Sequence, residues 1–265
     1  MTTKPETDTT HDEGGMTFWE HLDVLRGTLI MMGVAVVACG LAAFVFKDEI
    51  FAVILAPKSD TFPIYRLFEQ VGAWFSTPSD TSFSVSLINT GLAEQFKIHV
   101  KTSLFVGLLL ASPYCIYELF HFISPGLYAR ERKYSRWAMA AGYVMFMLGV
   151  ALCYFLIFPL TFRFLGTYQV SADVVNLITL QSYMDTLLVM SFLLGVLFEL
   201  PILCWVLGRL GVLSATFMRR YRKHAFVVIL IIAAIITPTS DVFTLCLVAL
   251  PICLLYEVSI WVVRR

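Results

Sequence analysis

Charge is what this 265-residue sequence has least of. Asp, Glu, Lys and Arg make up only 14% of it, against about 25% in ordinary soluble domains. Apolar residues fill the gap, at 58% with a mean hydropathy of +0.79. A soluble chain this apolar lacks the polar surface to cover its own core. Disorder, collagen, coiled coil and disulfide scaffold are excluded by the same numbers. An excess of either sign is also missing, with 19 basic against 19 acidic residues. No clustered basic face therefore invites a nucleic acid. The six cysteines (Cys39, Cys115, Cys153, Cys204, Cys246, Cys253) all sit in apolar runs and form no CxxC pair. They read as small buried hydrophobes, not as disulfides or metal ligands. There is no GxxxxGK[ST], GxGxxG, HExxH or GxSxG. Nucleotide hydrolysis, zinc proteolysis and serine hydrolase chemistry have no motif, so neither an enzyme nor a cofactor is expected. The start, MTTKPETDTTHDEGG, lacks the basic and apolar regions of a cleaved signal. Residues 1–15 read as a flexible cytoplasmic tail, and 16–265 as one transmembrane domain.

What is present is long charge-free sequence. Crossing about 30 Å of hydrocarbon takes about 20 helical residues. Twenty uncharged residues lie between Arg26 and Lys47, 16 between Lys101 and Glu118, and 26 between Arg136 and Arg163. Residues 186–208 and 242–263 carry one charge each, Glu199 and Glu257, and 225–240 carry none. The pattern predicts six spans, at about 27–46, 99–123, 137–160, 184–207, 225–239 and 242–263. An even number puts both termini on one side. With the termini inside, the inside segments hold 13 of the 19 Lys and Arg, and the loops at 130–136 and 219–223 are strongly basic. The positive-inside rule gives N-in, C-in. The fifth span is short, about 24 Å for 16 residues, and joins the sixth by a tight hairpin through Asp241. Short spans thin the bilayer. The external segment 47–101 contains Pro57, Pro63 and Pro78. Its stretch 66–75 is weakly amphipathic, and Leu92, Phe96 and Val100 share a helical face leading into the second span.

An ionisable residue inside a span costs at least about 2.5 kcal/mol on insertion scales and calls for a reason. Glu199 is the sharpest case, in Phe198-Glu199-Leu200-Pro201. Pro201 removes a backbone bond and kinks the helix, so acid and kink together can line a polar concavity. The bland alternative is a protonated Glu199 bonded to a neighbouring helix. Glu257 reads as snorkelling or paired with Arg264 or Arg265. Glu118-Leu119-Phe120-His121 is half of a di-iron motif without its other half, so no metal site is expected. His99 and His121 fall at opposite ends of one helix, which does not suit bis-His haem.

Two inside segments stand out. Phe18, Leu22 and Leu25 share one face of a short helix carrying Glu20 and Asp23, placed to lie along the interface before turning into the first span. The loop from Ser124 to Lys133 breaks at Pro125-Gly126 and carries one acid, Glu131, among bases. A lone carboxylate there can take a guanidinium bidentately; from spacing alone, neutralisation of its arginine neighbours is the simpler reading.

These segments resemble the TatC family of twin-arginine translocase subunits, over about residues 16–263. Phe18-Trp19-Glu20-His21-Leu22-x-x-Leu25-Arg26 resembles the family's N-terminal HLxELR helix. Lys101-x-Ser103-Leu104-Phe105, Ala111-Ser112-Pro113, Tyr117 and Phe122 to Tyr128, with Glu131-Arg132-Lys133, resemble its second span and first loop. Phe198-Glu199-Leu200-Pro201 resembles FE(L/V)P, and Thr237-Pro238-x-x-Asp241-Val242-Phe243 with Ala249-Leu250-Pro251 and Leu255-Tyr256-Glu257 resembles the last hairpin. The resemblance implies an all-α, concave, glove-like bundle of six transmembrane helices with short fifth and sixth spans. It implies a core receptor in the cell inner membrane that binds twin-arginine signal peptides of folded precursors. It also implies recruitment of TatA/TatB-type single-span subunits, assembly as a homo-oligomer within the complex, and export driven by the proton-motive force.

By the same resemblance Glu131 meets the twin-arginine pair, with Glu20, Asp23, Arg26, Arg132 and Phe122 around it. Glu199 and Pro201 form the intramembrane docking site, and Pro57 and Asp241 mark external loops. One position departs: the Glu of HLxELR is Val24 here, with Asp23 beside it. Neighbours on a helix point about 100° apart, so Asp23 or Glu20 substitutes, or recognition leans more on Glu131. Arg132-Lys133 stands where two arginines are usual. The alternative function is a proton-coupled secondary transporter using Glu199; such carriers usually show inverted repeats, and none is visible. A membrane anchor for a redox enzyme would want paired histidines at one depth.

Overall fold

The computed structural model describes residues 18–59, 61–66, 86–123, 132–169, 171, 176–237 and 241–264. The expected tail at 1–15 lies outside the described residues, as do Glu131 and the 66–75 stretch beyond Arg66. The helices are α1 (Phe18–Val45), α2 (Lys47–Ile54), α3 (Glu94–Ile123), α4 (Arg132–Leu152), α5 (Phe158–Thr167), α6 (Leu180–Phe198), α7 (Leu200–Arg209), α8 (Ala215–Arg220), α9 (Arg222–Ile236) and α10 (Val242–Arg264). Among the described residues the chain is helical apart from one pair of two-residue parallel strands, β1 (Leu87–Ile88) and β2 (Ile178–Thr179).

Among the described residues, five stretches are helical, long and apolar enough to cross a membrane: Leu22–Val45, Glu94–Phe122, Trp137–Thr167, Leu180–Arg209 and Val242–Val263. The helix α9 is equally apolar but has only 15 residues, about 22 Å of rise. Two interruptions inside these stretches have local causes. Pro159 has no N–H to give, and the turn before it, Cys153–Ile157, widens to π geometry before α5 resumes. Pro201 acts likewise on α6: Phe198 ends it, Glu199 sits in the turn, and α7 restarts at Leu200. One expectation is corrected. Residues 18–26 do not lie flat and turn into the first span; α1 is a single 28-residue helix. Gly27 alone does not end a helix, and no proline stands there to remove a ladder bond.

Helix pairs meet where glycines let backbones approach. A Cβ at Gly107 of α3 would lie 2.4 Å from the backbone nitrogen of Gly40 in α1. One at Gly149 of α4 would lie 2.7 Å from the Leu194 carbonyl of α6. The main core lies among α4–α7, α9 and α10, around Met184, Met190, Leu194, Ala233, Val248 and Ile252. The first spanning helix stands apart, with only 11% of its apolar window buried. It leans almost wholly on α3, and the rest of its apolar surface suits hydrocarbon.

The alternating helix directions give the bundle two ends. At the Pro57 end, α2 and the turn after it are tied down by tyrosines. Tyr65 shares its hydroxyl proton between the carbonyls of Pro57 (3.1 Å) and Pro159 (3.0 Å). Tyr183 donates to the Ile54 carbonyl (2.9 Å) and Tyr154 to that of Val53 (2.5 Å). Burial pushes the Tyr65 phenol up to about 12, with Arg163 opposing; the group keeps its proton throughout the physiological range. Lys101 of α3 pairs with Asp185 of α6 at 2.6 Å. At the other end, the Arg209 end, Arg222 of α9 is ion-paired with Glu257 of α10. Arg222 is a partner of Glu257 that the sequence did not suggest: α9 and α10 run side by side, which brings the start of one to the end of the other, while the Arg264 and Arg265 side chains lie outside the described residues.

Candidate functional site

Two regions carry the residues singled out by the sequence. The first is the Arg209 end. The start of α1 and the end of α3 meet there because the two helices run antiparallel through the Gly40–Gly107 contact. Asp23, Val24 and Arg26 are all exposed on α1, so the acid at Asp23 is available to solvent, beside the apolar Val24 that stands at the family's Glu position. The Glu20 backbone belongs to α1, but its side chain lies outside the described residues. Phe122 is half-buried in the last turn of α3, and Arg132 opens α4. The chain between them, including Glu131, is not described. Thus the structure brings Asp23, Arg26, Phe122 and the first turn of α4 to one end of the bundle.

The second region surrounds Glu199, well inside the bundle where α6 gives way to α7. Its carboxyl is seated against α3 and α4. A Cβ at Gly142 would lie 3.2 and 3.4 Å from the two carboxylate oxygens, and 3.3 Å from the Ile116 side chain. The absent side chain at Gly142 is what makes room. One oxygen, Oε1, is buried and has no hydrogen-bond partner among the described residues. A buried acceptor left unmatched costs about 1–3 kcal/mol. Glu199 is therefore a polar group in an apolar wall, and among the described residues Oε1 has no bond to a neighbouring helix. Pro201 is buried two residues on and lines a cavity with residues of α4 and α10.

The loop residues are structural in their immediate contacts. Pro57 is buried and its carbonyl accepts from Tyr65. The Oδ1 of Asp241 accepts from the Thr244 N–H (2.7 Å), capping α10. Among the described residues no group of three or more His, Cys, Asp or Glu is placed to hold a metal ion. Gly142 and the tyrosine clamps were not legible as site features. Gly142 ends a run of small residues, Ala140-Ala141-Gly142, and nothing in the sequence says which of them faces Glu199.

The profile of the family described as "Sec-independent protein translocase protein (TatC)" matches residues 20–251. The chain belongs to the TatC family. It is 34% identical over 257 residues to the TatC of Blattabacterium sp. subsp. Periplaneta americana, covering 95% of this chain and 96% of that one. It is 33% identical over 248 residues to the TatC of Koribacter versatilis, covering 94% and 85%. Two crystal structures titled as the twin arginine translocase receptor TatC superpose on it with TM-scores of 0.73 and 0.76 at 31% identity. They cover 92% and 93% of this chain, and 98% and 100% of theirs. As a TatC, the chain is a component of the twin-arginine translocase, a multi-pass protein of the inner membrane that transports proteins and is not an enzyme.

Proposed function

We propose that this TatC is the receptor of its translocase. It binds the twin-arginine signal peptides of folded precursors at the Arg209 end, with Glu131 meeting the guanidinium pair. Asp23, Glu20, Arg26, Arg132 and Phe122 frame that contact. The chain crosses the membrane six times, α9 serving as a short fifth span, with both termini cytoplasmic. The apolar part of the signal then lies along the wall beside Glu199, where TatA/TatB-type single-span subunits also dock, within a complex holding more than one copy of this chain. Pro57 and Asp241 shape the external loops around that assembly.

The observation that supports this most is the convergence of Asp23, Arg26, Phe122 and the first turn of α4 on one end of the bundle, Phe122 and α4 flanking Glu131 in sequence. Arginine's planar fork matches a carboxylate bidentately, which a lysine point charge cannot do. The orphaned Glu199 oxygen adds a second acceptor deeper in the wall. The reading is tested by complementation. In vesicles lacking their own copy of this subunit, wild type restores export of a folded reporter bearing a twin-arginine signal, and Glu131→Ala does not. Full export by Glu131→Ala would remove that residue from recognition.

A further inference from the structure

Glu118 lies inside the apolar stretch Glu94–Phe122, one turn before Phe122. Its backbone belongs to the α3 ladder, so its carboxyl is the group that calls for a reason. Helical residues turn about 100° each. Gly107, where α3 touches Gly40 of α1, and Glu118 stand eleven residues apart, so they point about 20° from one another. Glu118 therefore faces the seam between α1 and α3, on the side away from Ile116, which packs with Phe146 and Val150 of α4. It is half-buried. Tyr114, one turn earlier on the same face, brings its hydroxyl to the Glu118 carboxylate as a hydrogen-bond partner. No cation among the described residues pairs with this acid: the ion pairs there join Lys47 with Asp48, Lys101 with Asp185 and Arg222 with Glu257. A carboxylate has about four lone-pair sites, and Tyr114 occupies one of them.

We infer that Glu118 takes one guanidinium of the twin-arginine pair while Glu131 takes the other; this rests on the receptor reading proposed above. Stereochemistry asks for two acids. Successive side chains of an extended peptide point to opposite sides, and each guanidinium fork engages both oxygens of a carboxylate. One carboxylate therefore does not serve both arginines. Three features choose Glu118 as the second acceptor. It lies at the Arg209 end on the α1–α3 seam, about 6 Å of helix rise from Phe122. An arginine stem covers that distance along apolar surface while its head reaches the acid. Being half-buried, Glu118 attracts a cation with less screening than Asp23, which stands exposed on α1. Tyr114 holds the carboxylate in place, so little freedom is lost when the fork closes on it. A lysine ammonium has no fork and is more strongly hydrated, which makes it the poorer ligand for a half-buried acid.

The test uses the full-length protein in nanodiscs and fluorescent signal peptides carrying Arg-Arg, Arg-Lys, Lys-Arg or Lys-Lys. Wild type is expected to bind Arg-Arg about tenfold more tightly than either mixed peptide, the ordinary worth of one charge-assisted bond. Glu118→Gln keeps the size of the side chain and an acceptor for Tyr114. It is expected to lose one of the two preferences and keep the other, because only one arginine meets position 118. Should that variant fold poorly, Glu118→Asp keeps the charge, withdraws it by one methylene, and weakens the same single preference. Glu49→Gln, which neutralises an exposed acid at the Pro57 end, leaves both preferences intact. Survival of both preferences in the two Glu118 variants overturns the proposal. So does equal loss of both in Glu118→Gln, which means a structural role, or the same loss in Glu49→Gln, which means diffuse charge. Equal binding of Arg-Arg and Lys-Lys by wild type is a different failure: it removes the receptor reading itself, and the role of Glu118 with it.

Discussion

At the scale of the residue, the chain shows how one missing side chain makes room for an ionisable one. Glu199 announces itself in sequence, because a carboxyl inside an apolar run needs a reason. Its seat does not, because Gly142 comes from another helix and only packing brings the two together. A methyl added at Gly142 meets both carboxylate oxygens and Ile116 inside comfortable contact, so Gly142→Ala displaces the Glu199 carboxyl out of its niche. The expected result is faster labelling of Glu199 by a membrane-permeant carbodiimide, read by peptide mass, with Glu199→Gln as the unlabelled control; an unchanged labelling rate would show that the niche does not hold the carboxyl. Tyr65 carries a second residue-scale prediction. Tyr65→Phe leaves the buried carbonyls of Pro57 and Pro159 without their shared donor. That costs about 1–3 kcal/mol, visible as a lower Tm of the purified protein. Pro57 was legible as a loop proline, but the reason it is buried depends on a tyrosine eight residues on and a carbonyl about a hundred residues away.

At the scale of the element, charge-free runs located most of the long helices, and Pro201 located one break, whereas Pro113 and Pro251 sit inside unbroken helices. The turn at Glu199 and the π turn before Pro159 both follow from a missing N–H. What periodicity could not supply was continuity: the amphipathic start of α1 is an uninterrupted part of one helix, because amphipathicity describes a face and does not specify a bend. Nor could it supply helix pairing, which rests on glycines that look alike in sequence. Gly107 touches the backbone of Gly40, whereas Gly33 has open space around it. Gly107→Ile is therefore expected to part α1 from α3, the helix on which α1 mainly leans among the described residues, and to lower both Tm and the yield of monodisperse protein. Gly33→Ile is expected to leave both unchanged. Equal behaviour of the two variants would show that the close approach does not hold α1 in place.

At the scale of the whole molecule, two ends with different holding forces emerge. The Pro57 end is fixed by buried tyrosines and the Lys101–Asp185 pair. The Arg209 end is fixed by the Arg222–Glu257 pair and carries the α1 start, Phe122 and the first turn of α4. Membership of the TatC family was readable from four motif blocks in order, since each block had its own local chemistry. The central claim is that the Arg209 end reads a pair of arginines, and the direct measurement is the affinity of the purified protein for a signal peptide carrying Arg-Arg against the same peptide carrying Lys-Lys. The account predicts clear preference for Arg-Arg in wild type, and its loss in Glu131→Ala. Equal affinity for the two peptides in wild type, or an unchanged preference in Glu131→Ala, would contradict it.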